Sequence, residues 1–164
     1  MKKLNLSLII ITLTTVLLRL VNLGVGDLLN DEAKTALGID FPHSFLLPQI
    51  SLLSQKIFGF NEFAVRLPFA LLGVASVLLF YLFIKKFFNK RLALWGAAVF
   101  ALLPGNILLS RSAFLDVALV FGWLAVLYFW FVCEQDSRNK NLLYLFLVLA
   151  ITPFLKIQAV YLYI

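Results

Sequence analysis

Between Arg66 and Lys85 the chain reads Leu67-Pro68-Phe69-Ala70-Leu71-Leu72-Gly73-Val74-Ala75-Ser76-Val77-Leu78-Leu79-Phe80-Tyr81-Leu82-Phe83-Ile84, a run without a single charge. As a helix rising ~1.5 Å per residue it is about 27 Å long, close to the ~30 Å hydrocarbon core of a bilayer. Proline near its start suits a helix's first turn, where the missing N–H costs nothing. Further uncharged runs extend over Leu4 to Leu18, Leu92 to Ser110, Val117 to Cys133 and Asn141 to Leu155. The whole 164-residue chain is 63% hydrophobic and 13% charged. Soluble domains average nearer 45–50% and about 25%. The expected fold class is therefore all-α: a multi-pass transmembrane helical protein of about five spans, near 4–23, 67–84, 92–109, 115–133 and 142–162. Disorder, a disulfide scaffold and a secreted domain are excluded. The lone Cys133 has no internal partner, and the lone His43 cannot build a multi-histidine metal site.

Orientation follows from where the basic residues fall. With a cytoplasmic N-terminus, the inner segments hold Lys2, Lys3, Lys85, Lys86, Lys90, Arg91, Arg138 and Lys140, against Glu134 and Asp136. Basic and acidic residues balance on the other side, so the entire formal charge of +6 lies within. The excess is thus a topology signal, and no nucleic-acid partner is expected. The first run continues apolar to Leu23 with no small-x-small cleavage site, which reads as a retained signal anchor. Arg19, about one turn from its outer end, is placed to snorkel or to enter a polar cavity. The chain's last residues, Tyr163-Ile164, stand inside an apolar run, and the expectation is the front of a longer polypeptide.

The outer loop, 24–66, is the one long polar stretch, and loops of that length are usually functional. Asn30 is expected to cap a short helix, Asp31 to Leu37, with Asp31 and Glu32 in the first turn and Gly38 as its stop. A second helix, Phe45 to Phe58, carries Leu46, Ile50, Leu53 and Ile57 at helical spacing. Interrupted by Gln49, Gln55 and Lys56, it is expected to lie along the membrane surface. In the third span, Ala93, Ala97, Ala101 and Gly105 form a small-residue face for close helix approach, and Pro104 is expected to kink it.

No phosphate-binding glycine loop, zinc-protease motif or paired cysteines occur. What remains are ionisable groups near the outer helix ends: Asp31, Glu32, Arg66, Arg111, Asp116 and Lys156. Charge at membrane depth is costly, so such groups usually face a cavity or one another. The acidic pair suits a general base or a ligand for a divalent cation, and equally suits plain stabilisation of a helix start. Arg66 also suits an interfacial anchor, Arg111 a partner for Asp116, and His43 an ordinary loop histidine.

The order Asn30-Asp31-Glu32-Ala33, then Phe58-Gly59-Phe60-Asn61-Glu62-Phe63-Ala64-Val65-Arg66-Leu67-Pro68, then Pro104 with Ser110-Arg111-Ser112-Ala113-Phe114-Leu115-Asp116, resembles membrane glycosyltransferases of the GT-C fold. The look is nearest to the branch of protein O-mannosyltransferases and lipid A aminoarabinose transferases, and covers the N-terminal part of such enzymes. The resemblance implies a polyprenyl-phosphate sugar as donor, a lipid, glycan or protein as acceptor, and a site on the outer face of the plasma (inner) membrane. It also implies Asp31 as catalytic carboxylate and Glu32 as its neighbour or an acceptor-binding group. Arg66, Arg111, Asp116 and Lys156 would line the lipid-phosphate and acceptor cavity. His43 is a further candidate contact, although Pro42 and Pro48 stand apart where that family often has Pro-Pro-Leu. No metal ligand set is indicated, while a divalent cation stays compatible with the acidic pair. Two other classes compete: a non-catalytic membrane subunit or scaffold, sensitive along Ala93, Ala97 and Ala101 but tolerant at Asp31, and a transporter fragment, which calls for ionisable groups at mid-membrane.

Overall fold

A computed structural model describes residues 6–39 and 43–163. Lys2 and Lys3, named in the charge count, and Asp40 and Pro42 lie outside the described residues. Those described fold as helices without strands: α1 (Leu6–Leu20), α2 (Asn30–Leu37), α3 (Leu46–Phe58), α4 (Glu62–Phe87), α5 (Lys90–Leu102), α6 (Pro104–Arg111), α7 (Asp116–Gln135) and α8 (Asn139–Leu155), then a 3-10 helix, Ile157–Tyr163.

The central helix is α4, which touches α1, α2, α3, α5, α6 and α7. It starts at Glu62, so Pro68 stands inside the helix and not in its first turn, because Asn61 Oδ1 accepts the Ala64 N–H at 2.9 Å and caps the helix there. With 26 residues it is long and apolar enough to cross a membrane, as is α7 with 20. The expected third span is broken: α5 and α6 meet at 59° and reach crossing length only as a pair. Pro104 opens α6, as the sequence led us to expect, and carbonyls of α5 lose their helical partners. Asn106 Nδ2 donates to Phe100 O at 3.0 Å and Arg19 Nη1 to Ala101 O at 3.3 Å, so two side chains stitch the break. By contrast α1 and α8, with 15 and 17 residues, are apolar but shorter than a bilayer core. The first stops at Leu20 because Asn22 turns the chain through φ 54. The second stops at Leu155, where Lys156 is extended. Length and composition thus give two spanning helices, or three with the bent pair.

Two apolar clusters hold the bundle. Ala93, Ala97 and Ala101 are buried with Val77 and Tyr81, and Leu8 and Ile11 pack on them. Nearer the loops, Ala36, Leu47, Val65, Phe69, Val117 and Leu155 join α2, α3, α4, α7 and α8. Where α4 crosses α6 only glycine fits, since a Cβ on Gly73 would stand 2.4 Å from Ser110 Cβ.

The outer-loop helices appear where expected, with two differences. The cap of α2 is Leu29 and Asn30 is its first residue: no cap side chain accepts a helix-start N–H, and the Glu32 carboxylate reaches back to accept the Leu29 N–H at 2.9 Å. Gly38 ends the helix at φ 70, a conformation that favours glycine. In α3 the inward face is Leu47, Pro48, Ser51, Ser54 and Gln55, while Ile50, Leu53 and Ile57 are exposed. Gln55 Nε2 reaches Ala36 O at 3.1 Å and Ser51 Oγ reaches Val65 O at 3.4 Å. Polar side chains thus satisfy backbone carbonyls inside, and the apolar stripe is left outward, as suits a helix at a lipid interface.

Candidate active site

Adjacent residues on a helix point about 100° apart, and in α2 that separation divides the acidic pair. Glu32 is fully buried. Its Oε1 accepts Arg66 Nε at 2.9 Å and the Ala113 N–H at 2.8 Å; its Oε2 accepts Arg66 Nη2 at 3.0 Å and the Leu29 N–H at 2.9 Å. Burial alone raises the pKa of Glu32, but the Arg66 hydrogen bond, the Leu29 and Ala113 amides and the Arg66 charge outweigh it and hold the carboxyl below its ordinary value. Arg66 is spent as completely: Nη1 donates to Leu23, Val25 and Gly26 carbonyls at 3.1–3.2 Å and Nη2 to Asp27 O at 2.9 Å. The bidentate pair therefore ties the start of α2 to α4, to the 23–27 loop and to the turn before α7.

Asp31 faces the other way, with a side chain 63% exposed and Oδ1 2.9 Å from Lys34 Nζ. It lines a cavity of about 380 Å³ together with Lys34, His43, Asp116, Lys156 and Gln158. Lys34 and Thr35 follow Asp31 by three and four residues and so share its face of α2. Asp116 opens α7 and is paired with Lys156 just past α8. His43 is brought in because its carbonyl accepts the Ile157 N–H at 2.9 Å and the Phe45 N–H reaches Phe154 O at 3.2 Å, fastening the lead into α3 to the end of α8. Four of the seven sequence candidates thus converge on one cavity: Asp31, His43, Asp116 and Lys156. Its wall presents carboxylates, ammonium groups and an imidazole side by side, a set able to accept a proton at one point and stabilise an anion at another.

Glu32, Arg66 and Arg111 do not join them. Arg111 caps α1 instead, donating from Nη1 to Leu18 O at 2.9 Å and Val21 O at 2.8 Å and from Nη2 to Asn22 O at 3.2 Å. With Arg66 it borders a second cavity of about 430 Å³ walled mainly by Leu23, Val25, Ile107 and Leu108. The alternative pairing of Arg111 with Asp116 is replaced by the Lys156 pair. Arg19 is fully buried, and its Nε and Nη2 have no partner among the described residues.

Sequence reading missed Lys34 and Gln158. The signal for Lys34 was present, three residues after Asp31 on a helix. Gln158 carried none, being one polar residue in an apolar tail; its buried Oε1 has no partner among the described residues. No group of three or more His, Cys, Asp or Glu side chains suited to a metal ion comes together among the described residues.

The dolichyl-phosphate-mannose-protein mannosyltransferase family model matches residues 42–164. That segment contains His43, Arg66, Arg111, Asp116 and Lys156; Asp31 and Glu32 precede it. The chain is 37% identical over 103 residues to the Bacillus subtilis (strain 168) protein named "Putative mannosyltransferase YkcB", covering 63% of this chain and 14% of that relative. It is 42% identical over 75 residues to "Putative mannosyltransferase YycA" of the same organism, covering 46% of this chain and 11% of that relative. The matched part is therefore a small fraction of the length of either relative. No solved structure matches the chain significantly.

Proposed function

The chain belongs to the dolichyl-phosphate-mannose-protein mannosyltransferase family, and we propose that it carries the acceptor-activating part of a membrane glycosyltransferase that takes a sugar from a polyprenyl-phosphate carrier. The observation that carries this reading is the convergence of Asp31, Asp116, His43, Lys34 and Lys156 on one cavity at the end of the bundle where α2 and α3 lie.

The chemistry needs a base for the acceptor and a cationic place for the departing phosphate. The acceptor hydroxyl oxygen attacks the anomeric carbon, its proton passes to the Asp31 carboxylate, and the carbon–oxygen bond to phosphate breaks. The electron pair leaves on the polyprenyl phosphate, beside Lys156, while Lys34 stays with the base. Attack opposite the leaving group inverts the anomeric centre. Glu32 and Arg66 are positioning residues here: their hydrogen bonds are used up in fixing α2, and Asp31 is what α2 delivers. Arg111 acts similarly, holding α1. A carrier lipid tail remains in the bilayer, so its phosphate arrives at the interface where helix ends meet water.

We place this cavity on the outer side of a plasma membrane, with the N-terminus cytoplasmic and α1 and α8 as additional, short or tilted spans. The charge distribution supports that sidedness. In a Cys133→Ser background, a cysteine replacing Leu37, which is 63% exposed, should react with an impermeant thiol reagent on intact cells, and one replacing Asn89 should react only after permeabilisation. The reverse pattern overturns the orientation. For the reaction itself, the purified native gene product should release polyprenyl phosphate from a short-chain polyprenyl-phosphate mannose when given membrane extract as acceptor source. Release of the nucleotide from a nucleotide sugar instead, with the lipid donor untouched, would overturn the donor class.

A further inference from the structure

At the opposite end of α4 from Arg66, the turn into α5 contains Lys85, Lys86, Lys90 and Arg91, all exposed. The turn from α7 to α8, with Arg138 and Lys140, lies at that same end, because Phe87 packs on Tyr128 and Phe131 with ring centroids 6.2 and 5.4 Å apart. Two acids stand among these cations and both are engaged. Glu134 accepts the Trp130 Nε1 hydrogen at 2.9 Å, and Asp136 accepts Arg138 Nε at 2.6 Å. Beside the cations, Phe88 is 63% exposed and Leu92 47% exposed. The uncharged run of α4 is about one hydrocarbon thickness long, so these groups stand at headgroup depth when α4 crosses the membrane.

We propose that this end of the bundle binds the headgroups of anionic phospholipids, with the phosphodiester accepting hydrogen bonds from Lys86, Lys90 and Arg91 while Phe88 and Leu92 lie against the upper acyl chain. Cations grouped next to a spanning helix attract anionic lipid well above its bulk share. A free phosphate would use the cations alone; the exposed Phe88 and Leu92 favour a lipid, whose tail covers them. The inference is independent of the proposed reaction, which occupies the other end of the molecule.

Native mass spectrometry of the full chain in detergent, titrated with phosphatidylglycerol or phosphatidylcholine of matched acyl chains, tests this. Phosphatidylglycerol adducts should exceed phosphatidylcholine adducts by about tenfold or more, and replacing Lys85, Lys86, Lys90 and Arg91 together by Gln should remove the preference. A charge-keeping variant, with Lys85, Lys86 and Lys90 as Arg and Arg91 as Lys, should retain it, which separates lost binding from lost folding. Equal uptake of both lipids overturns the proposal, and so does a preference that survives the Gln variant. Complete displacement of the lipid by millimolar inorganic phosphate would identify a simple anion site and overturn it equally.

Discussion

Asp31→Asn in the native gene product is expected to lower kcat for sugar transfer by about 10²- to 10⁴-fold, the range a general base contributes, with KM for the donor little changed. The fold should not notice. Asp31 is largely exposed, and its one ion pair, to Lys34 three residues on, is of the kind that contributes under about 1 kcal/mol. The thermal unfolding midpoint should therefore stay within a degree or two of wild type while turnover disappears. A non-catalytic subunit predicts the same stability with no loss of function. Steady-state release of polyprenyl phosphate by the purified variant separates the two readings. Turnover within about threefold of wild type removes Asp31 from the mechanism and leaves Asp116 as the cavity carboxylate to test.

The helices were legible from the sequence because lipid imposes a coarse rule: long uncharged runs must be helical. α4 and α7 follow it closely. What the runs did not disclose is how far each helix persists. The end of α1 depends on Asn22 adopting a left-handed conformation, and the break after α5 depends on Arg19 and Asn106 arriving to take its freed carbonyls. These are tertiary events with no local periodicity. The outward apolar stripe of α3 was visible at Ile50, Leu53 and Ile57. That Ser51 and Gln55 turn inward was not, since their partners are carbonyls of Val65 and Ala36 on other elements.

The site divides along the same line. Ionisable residues near helix ends could be collected by counting, and Asp31, His43, Asp116 and Lys156 do share a cavity. Which carboxylate of the Asp31-Glu32 pair faces it could not be counted, because it depends on the amide of Ala113, distant in the chain, coming to Glu32. Arg66 and Arg111 are grouped with the phosphate-binding candidates by their charge, their place near helix ends and the family resemblance. Their surroundings are carbonyl-rich loop ends, which consume guanidinium hydrogens as effectively as a phosphate would.

Glu32→Gln should be among the most destabilising single changes in the outer part of the bundle. The carboxylate is wholly buried and accepts four hydrogen bonds, two of them from one guanidinium. A carboxamide offers one oxygen and turns an NH₂ group towards donors, so at least two N–H groups lose their acceptor and the Arg66 charge stays buried without its counter-charge. Breaking one side of such a pair costs about 3–5 kcal/mol, several times the worth of the Asp31–Lys34 pair on the same helix. Arg66→Met should be comparably harmful, because it strips the carbonyls of Leu23, Val25, Gly26 and Asp27 of their donor as well. The double variant should cost clearly less than the sum of the two, since each single change already breaks the shared bonds. Acid adds a second signature. The Glu32 carboxyl is held below its ordinary value of 4.5, so as pH falls the unfolded chain takes up this proton before the folded one. The contribution is complete above that ordinary value and is lost as pH drops through the folded value, with a slope of at most about 1.4 kcal/mol per pH unit. Glu32→Gln lacks the titration, and its stability should fall less steeply on the acid side. Unfolding midpoints in detergent across that range decide the matter: a variant as stable as wild type and equally acid-sensitive would mean that α2 is held by something other than this clamp. The same measurements bear on catalysis, because a loosened α2 carries Asp31 with it, and transfer should fail in Glu32→Gln for want of position and not for want of a base.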